Sequence, residues 1–347
     1  MEARRPFRLA INGYGRIGRC FLRALVERPL DHRLQVVAIN EPAQLDSMAY
    51  LTRFDSTHGR FPGQVEVGDG CLRINGQPLA VSHASEPEGV AWQAANIDLL
   101  VECSGVYSRR SELQRFLAAG CQRLLLSHPG HSGADVDATI VAGVNEKTLD
   151  GSERLVSAAS CTTNAVTPVL ALLDREIGVE QGFLTTLHSV MNDQPLIDGY
   201  HHHDLRRTRS AMQSIIPVST GLARGVERLL PQLAGRLQAK AIRVPTLNVS
   251  AIDLTIATRR PVSADGLNAL LAEAAAGPLK NRLAYSAEAH ASIDFNHDPH
   301  SAIVDGSQTR TAGSHLVNLF VWFDNEWGFA NRLLEVADYW SRRWSAA

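Results

Sequence analysis

Apolar positions along the chain follow two periods, one of strands and one of helices. Phe7–Ile11 is a short apolar run closed by Asn12-Gly13-Tyr14-Gly15-Arg16-Ile17-Gly18. Beyond it Ile17, Phe21, Leu22, Leu25 and Val26 recur at helical spacing, so the pattern predicts strand, glycine turn and helix. Leu34–Ile39, rich in branched residues, closes a βαβ unit and stops at Asn40-Glu41. Two further strands, Ile97–Glu102 and Leu124–Leu126, stop at Cys103-Ser104-Gly105 and at Ser127-His128-Pro129-Gly130. In the second half, Ala165–Ile177 is apolar and helix-prone and ends at Gly178, with Pro168 as a weak point. Gln181–Leu187 then reads as a threonine-rich strand ending at His188.

The first half therefore predicts an open parallel sheet that binds a dinucleotide. Gly13 and Gly15 permit a tight turn and close approach of a pyrophosphate, the next helix offers its unpaired N–H groups, and Gly18 lets helix and strand pack closely. Glu41 follows at the distance of about 20 residues where a ribose-binding acid belongs. Its charge would bond the ribose hydroxyls and repel a 2′-phosphate, so NAD is expected rather than NADP. Ser104, Gly105 and Ser127 stand at strand ends, where ligands gather, and are equally well read as plain turn residues.

Composition narrows the partners. Lys plus Arg at 34 nearly balances Asp plus Glu at 36, giving a net charge of −2 and no basic field for nucleic acid or anionic lipid. Hydrophobic residues at 45% and charged ones at 20% fit a soluble globular chain, and a length of 347 residues favours two domains over one. The apolar stretch near the N-terminus is too short for a signal peptide or membrane span, so a cytoplasmic protein is expected. Five cysteines, odd in number and without metal-type spacing, argue against a disulfide framework or a zinc site. His201-His202-His203 has no second ligand cluster beside it and reads as a solvated loop.

Cys161 falls at the start of the central helix, where the dipole and free N–H groups favour thiolate and can receive an oxyanion. His188, at a strand end, is a candidate base for that thiol. Spacing alone leaves a core thiol and a surface imidazole as the plainer reading.

Five blocks change that balance: Asn12-Gly13-Tyr14-Gly15-Arg16-Ile17-Gly18-Arg19, Ser160-Cys161-Thr162-Thr163-Asn164, Ser214-Ile215-Ile216-Pro217, Arg243-Val244-Pro245-Thr246 and Trp322-Phe323-Asp324-Asn325-Glu326-Trp327-Gly328. In this order they resemble the signatures of the glyceraldehyde-3-phosphate dehydrogenase family. The resemblance implies a Rossmann NAD-binding domain over residues 1–160, completed by a C-terminal helix over 325–347. Between them it implies an α+β catalytic domain with a mixed sheet over 161–324. It also implies a homotetramer, Cys161 as nucleophile and His188 as its base. Asn325 would bond the nicotinamide carboxamide, and Arg16 and Ile17 would lie against the pyrophosphate. Arg243 would hold the substrate phosphate, with Ser160, Thr162, Arg207, Thr220 and Gly221 at a second anion site.

Three stretches depart from the glycolytic pattern and look like the branch that acts on erythrose 4-phosphate. After His188 the chain reads Ser189-Val190-Met191-Asn192-Asp193-Gln194, with Met191 where a phosphate-holding threonine is expected. Such a lost hydrogen bond to a charged group costs about 1.5–3 kcal/mol. Leu126-Ser127-His128-Pro129-Gly130 and Phe295-Asn296-His297-Asp298-Pro299-His300-Ser301 are the other two. The expected reaction is NAD-dependent oxidation of a phosphorylated aldose through a Cys161 thioester, released by water to 4-phosphoerythronate for pyridoxal phosphate synthesis. Release by inorganic phosphate, as in the glycolytic enzyme, is the alternative. A non-catalytic NAD-sensing or RNA-binding protein is a remote one, opposed by the missing basic surface.

Overall fold

The computed structural model describes residues 5–28, 33–201 and 204–344. His202 and His203 of the histidine run, and residues 345–347 of the expected C-terminal helix, lie outside them. The chain falls into two compact units, one of Met1–Ile140, Asn145–Ser160 and Ala330–Ala347, the other of Val141–Val144 and Cys161–Phe329.

The first unit is built on a nine-stranded sheet. Seven of its strands run parallel, in the order Ala138–Thr139, Leu155–Ser157, Leu124–Leu126, Leu99–Glu102, Phe7–Asn12, Leu34–Asn40 and Gln77–Ser82. Cys71–Ile74 and Val65–Gly68 extend the sheet antiparallel at one edge. Parallel strands are covered on both faces, which is why Leu99, Leu100 and Val101 are all buried and read as an unbroken apolar run. From the central Phe7–Asn12 strand the chain first adds Leu34–Asn40 on one side and later Leu99–Glu102 on the other. That reversal opens a crevice at the carboxyl ends. The registers Asn12↔Asn40 and Asn12↔Glu102 set three polar side chains next to one another there.

The second unit holds an eight-stranded mixed sheet. Val179–His188 pairs parallel with Leu237–Arg243 and antiparallel with Ser250–Thr258, which in turn pairs with Leu316–Phe323. Leu316–Phe323 alternates buried and open positions, as a strand with one covered face must. The covered face packs on the helix Cys161–Glu176, whose Ala165, Val166, Val169, Leu170 and Leu173 are fully buried in one cluster. Fold class is as expected: a Rossmann-type α/β unit and an α+β unit with a mixed sheet.

Boundaries moved where non-local contacts outweigh pattern. The central helix keeps the start expected at Cys161, four residues before its apolar run, and continues through Pro168. Gly178 ends it at φ +73°, its N–H donating to the Leu173 and Asp174 carbonyls at 3.0 and 3.1 Å. The strand expected over Gln181–Leu187 spans Val179–His188, so His188 is its last residue. The C-terminal helix runs Trp327–Trp344. Residues 325–329 belong to the second unit, because the Asp324 carboxylate accepts from Asn248 Nδ2 and His297 N, each at 2.8 Å.

Leu170 has no exposed surface and sits in the buried cluster between the central helix and the sheet. Leu170→Ala should cost about 2–5 kcal/mol. Chemical unfolding followed by far-UV circular dichroism would show it as an earlier transition; an unmoved transition would mean that the helix–sheet contact carries little of this unit's stability.

Candidate active site

The glycine loop shows what each glycine is for. Gly13 has φ +85°, and a Cβ on it would collide with the Ser104 backbone. A Cβ on Gly18 would strike the Gly13 carbonyl oxygen, so helix and strand meet there backbone to backbone. Around Gly15, by contrast, the space a Cβ would take is open. Gly15 borders a cavity of 550 Å³ in the first unit, together with Asn12, Gly13, Glu41 and Ser104. The helix Arg16–Glu27 begins at Gly15 with no side-chain cap and no acid in its first turn. An open cradle and an uncapped helix terminus suit a pyrophosphate.

The carboxylate of Glu41 accepts the Tyr14 N–H at 2.7 Å and the Ala43 N–H at 3.2 Å, which fixes it on the cavity wall. Arg16 turns its guanidinium to Asp55 at 2.5 Å, and its backbone lies in the first helical turn. Burial alone would raise Asp55, but Arg16 and the His58 and Thr57 amides bring it down to about 2. Ile17 follows in the same first turn. Gly105, at φ +72°, and Ser127, whose N–H donates to the Glu102 carbonyl at 2.9 Å, stand beside strand ends without lining the cavity.

Sequence reasoning passed over two polar residues beneath this loop, Asn40 and Glu102, which bond to the expected Asn12 and Ser104. Asn12 Nδ2 donates to Glu102 Oε2 at 2.5 Å, Asn40 Nδ2 donates to Asn12 Oδ1 at 2.8 Å, and the Ser104 N–H donates to Glu102 Oε1 at 2.7 Å. Burial pushes the Glu102 carboxyl up, against the pull of its Ser104 and Asn12 hydrogen bonds. Asn40 and Glu102 were detectable only as polar residues closing apolar strands.

In the second unit, Cys161 Sγ lies 3.8 Å from His188 Nε2. The turn that delivers the sulfur places Ala159 at φ +60°, a conformation that costs a non-glycine residue about 1–2 kcal/mol. His188 Nδ1 is 2.8 Å from the Ser189 carbonyl oxygen, which can only accept. Nδ1 therefore carries the proton, and Nε2 is left as a bare acceptor toward the thiol. Burial pushes the Cys161 thiol up from its ordinary value, with Thr162, the sulfur's own backbone N–H and Arg243 pulling the other way. Burial also pushes His188 down, against its bond to Ser189. Burial of the thiol thus works against the N–H groups at the helix start, whose pull toward thiolate the sequence had suggested.

Arg243 reaches this face because it is the parallel-register partner of His188. Arg243 Nη1 and Arg207 Nη1 each lie 2.9 Å from the Asp193 carboxylate, one on either oxygen. Asp193 thus joins the two arginines expected at separate anion sites. Burial would raise its carboxyl, but Arg243 and Arg207 hold it below the usual carboxylate range. Its only sequence signal was its place in the loop after His188. Thr162 Oγ1 lies 3.8 Å from Cys161 Sγ, and Ser160 directly precedes the cysteine. Gly221 and Thr220 form the start of the helix Leu222–Leu229, where Thr220 Oγ1 accepts the Leu222 N–H at 3.2 Å. Asn325 Oδ1 accepts from the Ser189 and Ser250 hydroxyls, both at 2.9 Å.

A parallel sheet with a glycine loop at its switch point, and a separate unit bearing a cysteine–histidine pair, define an NAD-dependent dehydrogenase. A family model described as the NAD binding domain of glyceraldehyde 3-phosphate dehydrogenase matches residues 7–110, and one described as its C-terminal domain matches residues 160–325. The chain belongs to the glyceraldehyde-3-phosphate dehydrogenase family, and its cofactor is NAD. Among the described residues no helix is long and apolar enough to cross a membrane.

Gly15→Val fills the open cradle without a backbone clash. It should weaken NAD binding, measured by calorimetric titration, by on the order of tenfold or more, roughly 1.4 kcal/mol, while the thermal melt stays put. Undiminished affinity would place the pyrophosphate elsewhere.

Proposed function

We propose that the protein oxidises D-erythrose 4-phosphate to 4-phosphoerythronate through a Cys161 thioester released by water, as an erythrose-4-phosphate dehydrogenase supplying pyridoxal phosphate synthesis. The observation that carries this reading is Met191, a half-exposed thioether in the loop between His188 and the Asp193 carboxylate. The family resemblance expects a threonine hydroxyl there. With that donor gone, a three-carbon substrate loses one fixed contact to its phosphate, worth about 1.5–3 kcal/mol. A longer substrate depends less on it.

His188 Nε2 takes the thiol proton as Cys161 Sγ attacks the aldehyde carbon. The new oxyanion is met by the Cys161 backbone N–H at the helix start and by the protonated Nε2. NAD, when bound, would supply the oxidising power as the acceptor of the hydride that leaves the substrate carbon. His188, neutral again once its proton has passed to solvent, then takes a proton from water as the water oxygen attacks the thioester, and returns it to the departing Cys161 sulfur. Arg243 anchors the substrate phosphate, and Asn325 holds the nicotinamide carboxamide. A homotetramer in the cytoplasm is part of the same reading, by family resemblance.

Phosphate as the thioester acceptor is favoured by one observation. The residues expected at the second anion site, Ser160, Thr162, Arg207, Thr220 and Gly221, are all present, and Arg207 shares Asp193 with Arg243.

NADH formation with erythrose 4-phosphate and with glyceraldehyde 3-phosphate, each with and without inorganic phosphate, separates the two. Faster turnover of the four-carbon substrate without a phosphate requirement is expected. Phosphate-dependent preference for the three-carbon substrate would make this the glycolytic activity with an altered pocket. His188→Asn should lower the rate on the preferred substrate by about 10²–10⁴.

A further inference from the structure

Asn325 can do its proposed work only if its side-chain amide faces one way round. A carboxamide's oxygen and nitrogen have nearly the same shape, and only the surrounding hydrogen bonds decide which points where. In this chain the decision falls to two buried serines. Ser189, with no exposed surface, donates its hydroxyl to Asn325 Oδ1 at 2.9 Å, and Ser250, 1% exposed, does the same at 2.9 Å. Both lone pairs of Oδ1 are then used.

The reverse orientation is unfavourable for a stated reason. The Ser250 oxygen already accepts the Ser189 backbone N–H at 3.1 Å, and neither hydroxyl has another acceptor among the described residues. Turning the amide over would point its N–H groups at the two hydroxyl oxygens and strand two buried hydroxyl protons. The backbone on either side is fixed as well, since Asp324 Oδ1 accepts the Glu326 and Trp327 N–H groups at 2.9 and 2.7 Å. What Asn325 has left to offer is Nδ2, a donor.

We propose that Ser189 and Ser250 are positioning residues that lock Asn325 with Nδ2 outward, so that it recognises a carbonyl oxygen, the one on the nicotinamide carboxamide. This rests on the reading of Asn325 given above. Ser189 has a second duty, because its own carbonyl sets the His188 tautomer. One residue thus fixes both the base and the cofactor contact. Neither serine touches substrate or cofactor in this scheme; both act through Asn325.

The test compares binding of NAD with binding of ADP-ribose, which lacks the nicotinamide, by calorimetric titration of the full-length protein without substrate. In the Ser189→Ala, Ser250→Ala double variant, NAD affinity should fall by on the order of tenfold while ADP-ribose affinity holds. Asn325→Ala should do the same, and Ser250→Thr, which keeps a hydroxyl, should keep most of the difference. Should the double variant fail to fold, Ser189→Ala alone leaves the buried Ser189 N–H bonded to Ser250 and should show a smaller loss of the same kind. Equal weakening of both ligands would mean a merely structural role and overturn the proposal. If Asn325→Ala narrows the NAD preference but the serine variants do not, the positioning role is wrong and the Asn325 reading stands. If Asn325→Ala changes nothing, the reading of Asn325 itself fails and the proposal falls with it.

Discussion

Everything in the catalytic unit depends on holding a sulfur and an imidazole 3.8 Å apart. Each is delivered by the end of a regular element. Cys161 opens a helix whose inner face is buried against the sheet, and His188 closes a strand of that sheet. The backbone accepts a left-handed Ala159 just before the cysteine. Burial pushes the Cys161 thiol up and His188 down, and the Ser189 carbonyl, by accepting from Nδ1, leaves Nε2 as an acceptor toward the sulfur. The parallel register that aligns His188 with Arg243 brings a cation to the same strand ends. Asp193 then gathers Arg207 to it.

The cofactor unit obeys a different constraint, close approach of backbone to backbone. Gly13 lies against Ser104 and Gly18 against Gly13, and no side chain fits in either place. Beneath the loop, Asn12, Asn40 and Glu102 bond one another across three adjacent strands, so the floor of the cavity is as fixed as its rim. Glu102 illustrates how costly this floor is: a buried carboxyl is tolerated because Asn12 and Ser104 donate to it.

Sequence showed what is local. The glycine loop, Glu41, the cysteine at a helix start and the histidine at a strand end are each encoded within a few neighbouring residues, and the five signature blocks told the family. Residues joined by register were out of reach. Nothing in the neighbourhood of Ser250 announces that it will pair across from Phe323 and donate to Asn325, and nothing around Asn40 tells of Glu102. Asp193 was visible as a loop acid, not as a bridge. The first turn of the Cys161 helix is polar in sequence, Thr162, Thr163 and Asn164, and that Thr163 and Asn164 would be buried was not legible there. The burial of Cys161 was out of reach for a related reason: the helix terminus is a local feature, while desolvation is set by the whole surrounding fold.

The central claim is a covalent acyl group on one sulfur, and mass spectrometry of enzyme quenched within its first turnovers on erythrose 4-phosphate and NAD addresses it directly. A single adduct of the mass of the oxidised substrate on the peptide containing Cys161, absent from the Cys161→Ala protein, is the expected result. NADH formed with no adduct, or with the adduct on another residue, would contradict the assignment of Cys161 as the nucleophile.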